Sequence, residues 1–406
     1  MHLNKSAQNS KLIYILLILC IFGSFFIYNA TSVYSTLNYG TPYRFAILHF
    51  AWLIIGFIGF VFFLKLDLNN LKPVAKLLAV GVIVPLIIVG SVGLLRQIGV
   101  LSCSTEAPFV PCINGASRWL YINSPPLPAI PFIGVLGFQP SELAKLVVII
   151  INAVILAKYH TKDNKAALNI LDRYPAFNYL MFYTGIFAFL ILLQPNLSTA
   201  LIVVMISLAM YFASGASLKP LYLASPILGV LGVVVTLSSG YRRERLFTLL
   251  KGGASESLGY HINQIQIALG SGGIWGVGLG QSRQKHQYLP EVSADSIFAV
   301  IGEEMGFIGT VLVILLFVLF MYKGYKIALE QSDVFLQTLA VGLTTWVVIH
   351  FLVNIGAVVG LIPLTGVPLP FISYGGSSVI FILMGMGLLA NISMEDSQKR
   401  KFKQRR

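Results

Sequence analysis

Long apolar runs alternate with short polar or Gly/Pro-rich breaks along this chain. Ten such runs lie near 12–33, 44–64, 74–94, 140–158, 177–193, 198–214, 220–238, 297–321, 334–358 and 374–392. Crossing a bilayer takes roughly 20 apolar residues in a helix. The pattern therefore predicts an all-α polytopic membrane protein of about ten transmembrane helices. The fifth and sixth runs are separated only by Gln194-Pro195-Asn196-Leu197. Their combined length predicts a tight hairpin and not one kinked helix. No small-residue cleavage site follows the first run, so it reads as an anchor and not a signal peptide.

The breaks are unequal. Residues 1–11 form a short N-terminal segment, 12–392 the membrane domain and 393–406 a basic tail. The long irregular segments lie near 95–138, 239–296 and 359–373, the largest falling between spans 7 and 8. Loops of this length are usually functional, and Gly and Pro let a chain lie partly within the membrane where protein satisfies its backbone. Inside the largest loop, HINQIQIALGSGG predicts a short amphipathic helix. Ile262, Ile265 and Leu269 recur at helical spacing, with Gln264 among the polar positions, and Gly270, Gly272 and Gly273 end it. Such a helix either packs against the bundle or contacts substrate at the interface.

Composition sharpens this reading. Only 11% of the 406 residues are charged and 56% are hydrophobic, against roughly 25% charged in a soluble domain. No nucleotide-binding glycine loop appears between the spans on the N-terminal side, which argues against coupling to ATP, and no nucleic-acid partner is expected. Lys and Arg concentrate on the side of the N-terminus, which makes both termini cytoplasmic. Six basic residues break that trend. Arg242, Arg243, Arg245, Lys251, Arg283 and Lys285 share the 239–296 loop, and such a cluster outside suits an anionic partner. Arg offers a planar fork for phosphate oxygens, so Arg118, Arg242, Arg243, Arg245 and Lys285 are candidate phosphate ligands. Ser377 and Ser378, after a Gly pair at a helix start, add hydroxyls and backbone amides. Cys103 and Cys112 share an outer loop and are candidates for a disulfide. His350, in the ninth span, reads as a hydrogen-bonded interior residue and not a metal ligand.

The candidate chemistry lies in YLPEVSADSIFAVIGEEMGFIG, residues 288–309. Charge in hydrocarbon is costly and marks a pathway or a reactive site. Asp295 stands where a polar loop enters an apolar helix, as a helix N-cap, a reactive carboxylate or both. Glu303 lies about 12 Å deeper by helical rise. Lys145, entering from the same side near Pro140, sits at similar depth. Buried charges are normally paired, which predicts Lys145 bonded to Glu303 or Glu304 with Glu142 one turn above.

Several segments, in order, resemble one family: GFQPSELAKL (137–146), LLQPNLSTA (192–200), YHINQIQIALGSGGIWGVGLG (260–280), YLPEVSADSIFAVIGEEMGFIG and PLPFISYGGSS (368–378). They are similar to the SEDS family of bacterial membrane proteins, which includes FtsW, RodA and SpoVE. QKHQYLPE and AVIGEEMG lean toward FtsW, whereas TGVPLPFISYGG leans toward RodA. The resemblance implies a peptidoglycan glycosyltransferase that polymerises lipid II at the outer face of the bacterial cytoplasmic membrane, in cell division on the FtsW reading. It places the essential acidic residue on Asp295, and implies undecaprenyl-pyrophosphate-linked glycan as donor and a class B penicillin-binding protein within a divisome or elongasome as partner. A divalent cation, Mg2+ or Mn2+, is a candidate helper for the pyrophosphate. The chain departs from the family pattern at three positions. Asn196 stands for a usual Asp, Ala294 for Thr and Ser296 for Phe. The rival functions are a transporter of the lipid-linked precursor and a scaffold without catalysis.

Overall fold

The computed structural model describes residues 3–103, 107–113, 115–124, 135–159, 174–238, 240, 243–245, 247, 256–285 and 293–403. Arg242 and Lys251 lie outside the described residues, as does the 288–292 part of the motif before Asp295. Among the described residues the fold is almost wholly helical. Its helices are α1 (Leu3–Tyr39), α2 (Arg44–Lys65), α3 (Leu71–Gln97), α4 (Pro140–Tyr159), α5 (Pro175–Leu192), α6 (Leu197–Ala213), α7 (Lys219–Leu237), α8 (Glu256–Gly272), α9 (Ile297–Leu329), α10 (Val334–Val358) and α11 (Gly376–Lys403). Among the described residues, nine of these are long and apolar enough to cross a membrane, and α6 is a shorter apolar helix. With the amphipathic α8 set aside, these are the ten segments that the hydrophobic pattern predicts, and the chain is an integral membrane protein.

The central helices are α4 and α10, whose apolar stretches are 83% and 78% buried, against 6% for α7 at the periphery. The apolar residues of α7, including Leu223, Ile227 and Val230, are exposed, as suits a helix bathed in lipid. Apolar packing between helices gains little in hydrocarbon, so polar contacts help fix which helices meet. One such cluster joins α4, α5 and α6. Asn152 Nδ2 donates to Thr184 Oγ1 (3.2 Å) and Ser207 Oγ (2.8 Å), and the two hydroxyls bond each other at 3.0 Å.

The expected hairpin is present. Helices α5 and α6 are separate and pack together. Their joining turn is held from three sides: Gln97 Nε2 donates to Leu193 O (3.0 Å), Arg118 Nη2 to Pro195 O (2.8 Å) and Gln194 Nε2 to Leu86 O (3.3 Å). Asn196, where the family pattern has Asp, is the N-cap of α6 and accepts from Thr199 N at 3.3 Å. An amide oxygen serves that purpose as a carboxylate does. Between α3 and α4 lies a two-stranded antiparallel sheet, β1 (Leu120–Tyr121) with β2 (Gly137–Phe138). Cys103 and Cys112 are disulfide-bonded with Cα atoms 5.4 Å apart.

Helix α9 departs from its expected form. It is broken at Gly306 (φ 64°, ψ −161°), about 14 Å along the helix from Ile297. A break frees backbone groups that hydrocarbon cannot satisfy. The glycine-rich segment after α8 satisfies them. Val277 N donates to Glu303 O (2.9 Å) and Gly278 N to Glu304 O (3.1 Å), while Phe307 N donates to Gly273 O (2.9 Å) and Ile308 N to Ile274 O (3.3 Å). The two backbones touch directly. A β-carbon at Gly306 would overlap Gly276 N, and one at Gly276 (φ +82°) would overlap Glu304 O.

Replacing Gly276 with Ala is therefore expected to destabilise the protein by roughly 1–3 kcal/mol. The thermal unfolding midpoint in detergent checks this. Gly270→Ala, whose β-carbon meets nothing within 4 Å, should leave the midpoint unchanged or raise it slightly.

Candidate active site

The two glutamates of α9 organise the loop that precedes Asp295. Glu303 and Glu304 are each 1% exposed, so each oxygen requires a partner. Glu303 accepts from Ser282 Oγ, from Arg283 N (3.0 Å) and from Gln284 N (3.4 Å). Glu304 accepts from Gly280 N (2.9 Å), Ser282 N (3.3 Å), Asn29 Nδ2 and Lys285 Nζ (3.1 Å). Lys285 places its remaining protons on Asn29 Oδ1 and Gly280 O, both at 2.7 Å. Residues 280–285 are thus wound around two carboxylates, with α1 contributing Asn29.

This arrangement corrects two expectations. Lys145 does not reach Glu303 or Glu304. Its Nζ lies 2.7 Å from Glu142 Oε1 and 2.8 Å from His350 Nε2, which also accepts from Trp346 Nε1 at 3.2 Å. Equal depth in the bilayer was the basis for the expected pair. Depth leaves angle free, and the (i, i+3) neighbour on its own helix is nearer. Lys285, expected among the phosphate ligands, is 6% exposed with its three protons engaged, so it holds the scaffold together.

Asp295 sits one residue before the N-cap of α9. The cap position belongs to Ser296, whose side chain makes no capping bond. Two backbone contacts hold this stretch, one at Asp295 O and one at Ser293 O. Asn354 Nδ2 of α10 donates both to Asp295 O (2.9 Å) and to Val367 O (2.8 Å). Tyr374 N donates to Ser293 O at 2.7 Å. The 359–373 segment closes one side, and a β-carbon at Gly366 (φ +68°) would stand 4.0 Å from Asp295 Oδ2. The Asp295 residue itself is partly exposed. On its other side Ser296 Oγ lies 3.5 Å from Asp295 Oδ1 and 2.8 Å from His261 Nε2 of α8.

A cavity of about 290 Å³ lies beside this region, between α8 (Gly259 to Gln266) and the end of α10 with its following loop (Ala357 to Leu364). Asn263 and Gln266 line it, whereas the expected Gln264 does not. Arg245 donates to Leu364 O on its wall, and Arg243 is exposed. Arg118 is committed to Pro195 O, on the α5–α6 turn. Ser377 and Ser378 are buried, and Ser377 Oγ accepts from Gln139 N (3.0 Å) to tie the starts of α4 and α11 together. Among the described residues no three His, Cys, Asp or Glu converge as metal ligands. Sequence reasoning missed Asn29, Ser282, His261 and Asn354. Asn354 carried a usable signal, as an amide inside an apolar span.

The comparisons agree with this architecture. Residues 9–398 match the family described as "Cell cycle protein", that of FtsW, RodA and SpoVE, and the chain belongs to it. Stage V sporulation protein E of Bacillus subtilis (strain 168) is 33% identical over 394 residues, covering 96% of this chain and 98% of that protein. A probable peptidoglycan glycosyltransferase FtsW of the same organism is 31% identical, covering 96% and 93%. Among solved structures, a chain from a peptidoglycan synthase complex that coordinates polymerisation and crosslinking superposes with a TM-score of 0.68 at 24% identity, covering 95% of this chain and 97% of that one. The rod shape determining protein RodA of Thermus thermophilus gives 0.62 at 22% identity, covering 95% and 96%.

Removing the cation of the buried pair should be costly. Lys285→Met is expected to destabilise by about 3–5 kcal/mol, because it leaves a buried carboxylate uncompensated. The double variant Lys285→Met/Glu304→Gln should recover part of that loss, read as a non-additive shift in thermal midpoint.

Proposed function

We propose that the chain is a peptidoglycan glycosyltransferase, the activity for which its FtsW relatives are named, and that Asp295 is its general base. The carrying observation is a partly exposed carboxylate whose backbone is fixed by Asn354 and whose flanking residue Ser293 is fixed by Tyr374. A base must be held within hydrogen-bond reach of the proton it takes, and these contacts supply that rigidity.

The substrate is lipid II, a disaccharide-pentapeptide on undecaprenyl pyrophosphate, entering from the outer leaflet. Asp295 takes the proton of the acceptor sugar's 4-hydroxyl as that oxygen attacks the anomeric carbon of the donor chain. The bond from that carbon to pyrophosphate breaks, and undecaprenyl pyrophosphate leaves with the electron pair. Attack from the opposite face inverts α to β. Arg243 and Arg245 meet the developing charge, and Arg242 belongs to the same run of sequence. Lys285 is dropped from this set. Pyrophosphate is a good leaving group, so a second carboxyl acting as a strong acid is unnecessary.

The reading places the protein in the bacterial cytoplasmic membrane with both termini inside and Asp295 outside, at the division septum on the FtsW-like motifs. A class B penicillin-binding protein is the proposed partner, in keeping with the synthase complex among its structural neighbours. Asp295→Asn, reconstituted with its cognate transpeptidase and labelled lipid II, should lose polymerisation by about 100-fold or more while keeping its thermal midpoint. Lipid II flipping measured in the same liposomes separates catalysis from transport. Flipping without polymerisation by the unaltered protein would overturn the reading.

A further inference from the structure

Two side chains link α8 to the base. Ser296 is fully buried, and its single hydroxyl lies between His261 Nε2 at 2.8 Å and Asp295 Oδ1 at 3.5 Å. An ionised carboxylate only accepts hydrogen bonds, a hydroxyl has one proton to give, and a neutral imidazole nitrogen either donates or accepts. If all three act together, one order satisfies them. His261 Nε2–H donates to Ser296 Oγ, and Ser296 O–H donates to Asp295 Oδ1. The first link is short. The second is longer than a made O–H···O bond, which runs to about 3.0 Å, and catalytic hydrogen bonds often tighten only when substrate is bound.

Resting on the reading of Asp295 as base, we infer that His261 and Ser296 form a positioning relay that sets the orientation and proton affinity of Asp295. Neither residue touches the reacting atoms. Ser296 presents a donor to the base, and His261 fixes the direction in which that donor points. The pairing also couples the amphipathic helix, which lines the cavity, to the carboxylate. A substrate that shifts α8 by a fraction of an ångström would draw the serine toward Asp295 or away from it.

The imidazole stays in one charge state while doing this. Burial, with Arg245 adding to it, pushes His261 down to about 4, so it is neutral through the range in which a carboxylate base operates. Arg245 is the described cation facing it, and Asp295 is the carboxylate reached through Ser296. A donor to the charged form of an acid favours that form. Removing the donor therefore makes Asp295 easier to protonate and moves the acid limb of the pH–rate profile to higher pH.

The test compares unaltered protein, Ser296→Ala, His261→Leu, His261→Gln and Asp295→Asn as full chains with the cognate transpeptidase and labelled lipid II. Rates are read across pH and thermal midpoints in parallel. Ser296→Ala and His261→Leu are expected to lose about tenfold in kcat on the acid side of the profile, the equivalent of one pKa unit, with KM little changed and the limb moved upward. His261→Gln keeps an amide donor at similar reach and should retain the original limb. If Ser296→Ala folds and keeps both its rate and its limb while Asp295→Asn is dead, the relay falls and the base assignment stands. If Asp295→Asn remains active, the base assignment falls and takes the relay with it. Should Ser296→Ala fail to fold, the His261 pair decides, since equal losses in the Leu and Gln variants with no movement of the limb mean that His261 only packs.

Discussion

Backbone polar groups inside hydrocarbon must find partners within the protein, and the break at Gly306 is where this molecule meets that demand most directly. Helix α9 frees its carbonyls there, and the glycine-rich turn segment after α8 closes on them with its own amides. Once residues 273–278 are pinned in this way, the chain that follows has to turn beside Glu303 and Glu304. Their four oxygens then collect the amides of residues 280, 282, 283 and 284 and the Lys285 ammonium. Residues 273–285 are therefore packed onto α9, and Asp295 stands at the start of that same helix. Backbone satisfaction and carboxylate pairing together hold this segment against the helix.

The large-scale plan of the molecule was legible in its residues. The hydrophobic runs identify the ten membrane segments, the four residues around Pro195 identify the hairpin, and Ile262, Ile265 and Leu269 identify the amphipathic helix. These are local signals, since each depends on a period or a turn within a few residues. Asp295 was legible for the same reason, as a charge at a boundary between a polar loop and an apolar run.

The partners of the buried charges were not legible. Lys285 meets Asn29 across 256 positions of sequence, and no periodicity links the two. Lys145 and Glu303 share a depth, but depth is one coordinate of three, and the actual partner lies one turn along the same helix. Gly306 resembled an ordinary small residue inside a helical run, because a left-handed glycine and a packing glycine look alike until the chain pressed against them is known. The relation of His261 to Ser296 was hidden likewise, across 35 positions of sequence.

The enclosure of the Lys285–Glu304 pair bears on the response to electrolyte. Dissolved ions screen exposed charges over about 10 Å at 0.1 M and reach buried pairs far less. Arg243 is exposed, whereas Lys285 and Glu304 are buried. Ionic strength thus acts on the outward-facing guanidinium groups while leaving the internal framework intact, so the two populations of charge in this loop answer to different media.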